Sequence, residues 1–251
     1  MTSTTDAAVL LGAGVLAGIV GTSGGITSLI SYPALLGIGI APVPANVTNI
    51  VALVTTWPGS ALASRPELRG KGPWLRRWAL VAAAGGGVGA ALLLSTPPGA
   101  FARVVPFLVA IASLGLVLQP RLSSWRAGRA VRGERFWLPC GLFAVSVYCG
   151  YFGAGAGVIT LALLLLTVDG HLARANALKN MILGVPTVVS AAGFVLLGPV
   201  QWGAVLPLAT GAFVGGTIGP RVARWAPADV LRWAVALIGL GLAVHLWLDP
   251  A

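Results

Sequence analysis

The sequence predicts an all-α polytopic membrane protein of two inverted repeats, each a glycine-broken helical hairpin followed by three transmembrane helices. Three observations lead there. The 251 residues are 57% hydrophobic and 9% charged, against about 25% charged in a soluble domain, so no water-facing surface can be assembled. Two glycine runs, Gly21-Thr-Ser-Gly24-Gly25 and Gly153-Ala-Gly155-Ala-Gly157, each interrupt an apolar stretch that would otherwise read as one helix. The net charge of +10, from 16 Lys and Arg against 6 Asp and Glu, is concentrated between the apolar stretches, where it orients a membrane protein. It is not interleaved with aromatics as a nucleic-acid surface would be, so nucleic acid is excluded as a partner.

The apolar stretches run approximately over 7–22, 25–40, 45–64, 78–95, 100–118, 138–156, 157–168, 174–197, 202–219 and 229–248. A full span needs about 20 residues. The four stretches beside the glycine runs are short, and hydropathy alone merges each pair and counts about eight helices. Met1–Asp6 carries no Lys or Arg, so a cleavable signal peptide is not expected and the first stretch is retained. Pro42, Pro44, Pro97, Pro98, Pro120, Pro199 and Pro227 mark connections. Trp74, Trp78, Trp125, Trp137, Trp202, Trp225 and Trp247 lie near span ends, as an interfacial belt requires.

The halves repeat at an offset near 130: Ala45-Asn46 matches Ala175-Asn176, Ser60-Ala61 matches Ser190-Ala191, Gly85, Gly86 and Gly89 match Gly215, Gly216 and Gly219, and Pro97 matches Pro227. This divides the chain into repeat 1 (1–118), a basic cytoplasmic linker (119–137) and repeat 2 (138–251). If each repeat crosses four times, the halves are parallel and Arg174, Lys179, Arg221, Arg224 and Arg232 face outside. If each crosses an odd number of times, the halves are inverted and 15 of the 16 basic residues fall inside, with only Arg103 out. The positive-inside rule favours inversion. An odd count follows if each glycine run is the tip of a re-entrant hairpin, or if both arms of each hairpin cross fully. In either case the loops at 65–77, 119–137, 169–174 and 220–228 face the cytoplasm, and both termini face out.

The residues give an enzyme nothing to work with. His171 and His245 are isolated, Cys140 and Cys149 share one apolar segment, and no catalytic or metal-spaced cluster exists. No metal or cofactor is expected. No Asp or Glu lies mid-span, which argues against a proton relay and a cationic substrate. A helix that begins at a break presents unpaired N–H groups and the positive end of its dipole, a ready anion site. Backbone N–H groups at Ser23, Gly24 and Gly25 and at Gly155, Ala156 and Gly157 are therefore candidates. Asn46 and Asn49 in one half, and Asn176, Lys179 and Asn180 in the other, open the neighbouring helices. Lys179 is either paired with an anion at depth or snorkelling to the headgroups. The competing reading of the glycine runs is close helix packing alone. Gly85-xxx-Gly89 and Gly211-xxx-Gly215-xxx-Gly219 read as small-residue packing faces.

Gly18-Ile-Val-Gly21-Thr-Ser-Gly24-Gly25, the apolar run with Pro33, and Ala45-Asn-Val-Thr-Asn49 together resemble the sulfite exporter TauE/SafE family. Gly150 to Gly157 with Ala175 to Asn180 resembles that family's second repeat. The resemblance implies a bacterial inner-membrane permease for sulfite, organosulfonates or related small anions. The expected partners are that oxyanion and the lipid bilayer, with a homodimer left open. The expected function is export of the anion. The alternatives are an anion channel with the same site and a non-transporting membrane scaffold.

Overall fold

The computed structural model describes residues 3–124 and 134–225, with Gly241 and Val244 beyond them. The expected last span (229–248) apart from those two residues, Pro227, Trp247, Arg232, His245 and residues 125–133 of the linker lie outside the described residues. The described chain is helical, without a strand: α1 (Thr4–Gly24), α2 (Ser28–Gly37), α3 (Pro42–Leu53), α4 (Thr56–Ala63), α5 (Gly72–Ser95), α6 (Pro98–Ser124), α7 (Glu134–Tyr151), α8 (Ala156–Thr167), α9 (Leu172–Leu197) and α10 (Trp202–Trp225). Helices α6 and α7 thus extend into both flanks of the stretch expected as linker. Four helices, α1, α5, α9 and α10, are long and apolar enough to cross a membrane. Large apolar side chains such as Leu80, Leu196, Leu197 and Leu206 project outward from three of them, as a lipid-facing surface requires.

Both hairpins are broken near the expected places. Helix α1 runs through Ser23 and Gly24 and stops at Gly25, which is left-handed (φ 86°) and donates its N–H to the Gly21 carbonyl at 2.7 Å. Helix α7 stops at Tyr151, and Gly153 (φ 79°) and Gly155 (φ 74°) are left-handed before α8 begins. Only glycine takes these angles at little cost. The second arms are short: α2 has 10 residues and α8 has 12. At 1.5 Å per residue they are about 15 and 18 Å long, well under a bilayer core of about 30 Å. Helices of that length do not cross such a core by themselves, which favours the re-entrant form of the hairpins.

The stretch 45–64, expected as one span, is two helices. The break falls at Val54–Thr55 and has a local cause. Pro58, four residues on, has no N–H for the Val54 carbonyl and crowds it. Thr55 and Thr56 turn their hydroxyls back onto the Ala52 and Leu53 carbonyls at 2.8 and 2.7 Å, competing with the helix ladder. The corresponding helix of the second half, α9, runs unbroken through Pro186.

The halves interlock rather than sit side by side. Helix α1 packs most extensively on α10, and α5 on α7. Both contacts are glycine-lined. A Cβ at Gly14 or Gly18 would strike the α10 backbone at Leu208–Gly216, and one at Gly85 or Gly89 the α7 backbone at Phe143–Tyr151. The small-residue faces read from the sequence are these contacts. Since the obstacles at Gly89 are backbone atoms, the Val147 carbonyl and the Tyr151 amide, Gly89→Ala is expected to destabilise by about 1–3 kcal/mol. Thermal unfolding in detergent would measure this.

Helix α9 runs antiparallel to α3 and α4. Gly198 lies by Val47, Thr48 Oγ1 accepts from the Gln201 N–H at 2.9 Å, and Gly184 lies by Trp57. At one end of the bundle, Asp169 in the α8–α9 loop takes Lys71 of the α4–α5 loop at 3.2 Å and Arg174 at 3.0 Å. The 65–77 and 169–174 loops therefore share one end, and cysteines placed in them should be labelled from the same side of the membrane. Burial works to raise the Asp169 pKa, but the His171 N–H, Lys71 and Arg174 outweigh it and hold the carboxyl below its ordinary range. A lowered folded-state pKa stabilises above the unfolded value and is lost as pH falls through the folded one. Asp169→Asn should therefore cost about 1 kcal/mol near neutral pH, a deficit that closes in acid.

Candidate functional site

The site is built where the two breaks meet. The backbones of Gly25 and Gly157 touch: a Cβ on Gly25 would stand 2.5 Å from the Gly157 carbonyl carbon, and one on Gly157 would overlap the Gly25 Cα. A helix that ends at depth leaves carbonyls without partners, and each half supplies donors to the other half's break. The α1 end is held from α9. Asn176 Nδ2 and Asn180 Nδ2 each donate to the Thr22 carbonyl at 2.9 Å, and Lys179 Nζ donates to the Gly21 carbonyl at 3.2 Å. Asn176 and Asn180 are four residues apart and so share a helix face. The α7 end is held from α3, where Asn46 Nδ2 donates to the Tyr151 carbonyl at 2.9 Å. Asn49 Nδ2 donates to Ser28 Oγ, at the start of α2, at 3.0 Å.

This revises the expected roles of several residues. The amides of Ser23 and Gly24 lie inside α1 and that of Gly25 caps it, so the first break offers its free N–H groups at the start of α2, around Thr27 and Ser28, and not at 23–25. At the second break the Ala156 N–H is also engaged, donating to the Gly153 carbonyl at 3.2 Å. The four asparagines point their N–H groups at helix ends, where they tie the breaks together. The amide oxygens of Asn46, Asn49 and Asn176 are buried without a hydrogen-bond partner.

Between the breaks lies a cavity of about 90 Å³, room for several waters or one small ion. Its wall combines Gly21, Thr22, Gly25, Thr27 and Ser28 from the first break, Gly153, Ala156 and Gly157 from the second, and Lys179 and Asn180 from α9. Of the residues picked from the sequence, Gly25, Ala156, Gly157, Lys179 and Asn180 are in this wall. Asn46, Asn49 and Asn176 stand behind it as ties, and Ser23, Gly24 and Gly155 lie in the adjoining backbone. Thr56, Trp57, Cys149, Gly184 and Thr187 also line it and were not foreseen. For Trp57 the signal was present, since Pro58 marks the break that brings it to the cavity.

The wall is rich in hydrogen-bond donors. The first turns of α2 and α8 both border the cavity, and helix N-termini favour anions. Ser28 Oγ accepts from Asn49, which leaves its own proton to donate. Lys179 is 1% exposed, so it does not snorkel to the headgroups. Its hydrogen bond is to a carbonyl, and no carboxylate stands in the cavity wall among the described residues. Such an arrangement can hold a small anion by two sets of backbone N–H groups, a hydroxyl and one ammonium. Among the described residues no cluster suited to a metal ion occurs.

Comparison with known proteins gives the frame for this geometry. The family model described as sulfite exporter TauE/SafE matches residues 7–246. The chain belongs to the TauE/SafE family. It is 28% identical over 247 residues to a probable membrane transporter protein, ORF9, of Sinorhizobium sp, covering 97% of this chain and 93% of that one. It is 27% identical over 245 residues to the probable membrane transporter protein YfcA of Escherichia coli K12, covering 96% and 89%. A probable membrane transporter protein of Haemophilus influenzae is 26% identical over 249 residues, covering 96% and 94%. No solved structure matches the chain. As a TauE/SafE protein built of apolar helices, it is an integral membrane transporter.

Proposed function

We propose that this TauE/SafE protein exports a small oxyanion, sulfite or an organosulfonate, across the bacterial inner membrane. The observation that carries the reading is Lys179: a lysine buried between two touching glycine breaks, with a backbone carbonyl as its partner and no carboxylate in the wall among the described residues. An intramembrane charge is costly unless paired, and an anion in the cavity pairs it. The family's description as sulfite exporters supports the choice of oxyanion.

The halves are read as inverted, with the site at their interface. The antiparallel packing of α9 on α3 and α4 and the Lys71–Asp169 pair support this. Inversion is the arrangement in which alternating access rocks one half against the other around a fixed site. Counterflow in proteoliposomes tests the transporter reading. Vesicles loaded with unlabelled sulfite should accumulate labelled sulfite transiently above equilibrium. Equilibration without overshoot would identify a channel, and no flux for any anion a scaffold.

A further inference from the structure

The break between α3 and α4 does more than shorten a helix: it brings Trp57 into the cavity wall, in the half opposite Lys179. An indole N–H can donate a hydrogen bond but never accept one. Trp57 Nε1 is buried and has no hydrogen-bond partner, a costly state for a donor. Its pyrrole edge, Cδ1 and Nε1, lies against Gly184 of α9, and a side chain at 184 would take up the space of the ring. Gly184 is itself in the cavity wall, so a glycine in one half seats the indole of the other.

We propose that the Trp57 indole N–H is a further donor to the transported oxyanion, supplied by the first half as Lys179 is by the second. The inference rests on the anion reading of the cavity and adds a specificity to it. A rigid neutral donor rewards a ligand whose bare oxygens can accept from two N–H groups at once, as those of sulfite and sulfonates do. It offers nothing to a cation. Because donors come from both halves, the anion bridges them.

Nuclear magnetic resonance of the indole N–H groups tests this on the purified full-length protein in detergent micelles. The Trp57 signal is assigned by its disappearance in Trp57→Phe. Titration with sulfite, and separately with methanesulfonate, should shift that signal saturably, and Trp57→Phe should weaken sulfite binding about tenfold or more. Saturable binding that leaves the Trp57 signal unmoved would overturn the inference while leaving the anion site intact. No saturable binding of either anion would overturn the reading of the site, and this inference with it. Should Trp57→Phe fail to fold, the wild-type signal that responds to Gly184→Ala serves for assignment, and its response to sulfite decides.

Discussion

Valine at Gly25 or at Gly157 is expected to abolish transport. The two positions fail for different reasons. At Gly25 the backbone is left-handed, which a β-branched residue resists by more than the roughly 1–2 kcal/mol of an ordinary L-residue. Its side chain would also enter the Gly157 backbone. At Gly157 the conformation is helical and only the collision with Gly25 acts. Neither obstacle is a flexible side chain that could move aside, so the breaks must separate, and separation disperses the helix starts around the cavity. The effect at Gly25 should be the larger, and Gly157→Ala should be milder than Gly157→Val. Uptake into vesicles at matched protein levels measures this. Wild-type flux in both valine variants would reduce the glycine runs to ordinary packing.

The second large effect is at Lys179. Removing one member of a buried charge pair costs about 2–5 kcal/mol, so Lys179→Met, which keeps most of the volume, should weaken sulfite binding about thirtyfold or more. A screened surface lysine would cost under about 1 kcal/mol. Lys179 is 1% exposed, not a surface lysine. Lys179→Arg should retain more affinity than Lys179→Met, because charge survives while the fit to Gly21 does not. Wild-type affinity should depend weakly on salt, since buried pairs are little screened. A loss below tenfold for Lys179→Met, with strong salt dependence in wild type, would assign the anion's charge partner elsewhere.

Much of this architecture is legible because a membrane helix is read from length and apolarity alone. The stretches expected at 78–95, 157–168, 174–197 and 202–219 are α5, α8, α9 and α10, with α5 starting six residues earlier and α10 ending six residues later than expected. The glycine breaks are legible because nothing else in an apolar run calls for three left-handed glycines. The exact start of the first break is not, because Thr22 and Ser23 sit in the helix by bonding back to the Gly18 and Ile19 carbonyls, a choice sequence does not announce. The split at Val54–Thr55 is hidden because its residues are as apolar as an unbroken span; only Pro58 betrays it. The asparagines could be picked as polar residues at depth, but not their partners. Asn46 reaches 105 residues along the chain to Tyr151, and Asn176 reaches 154 residues back to Thr22. Those contacts exist only once the halves interlock.

The most direct test of the central claim, that an anion sits between the two breaks beside Lys179, is to locate one. Selenite has the shape and charge of sulfite and scatters anomalously. Diffraction from crystals of the full chain grown with selenite should show an anomalous peak in the cavity bordered by Gly25, Gly157 and Lys179. A well-occupied peak only at the Lys71, Asp169 and Arg174 end, with none in the cavity, would contradict the account.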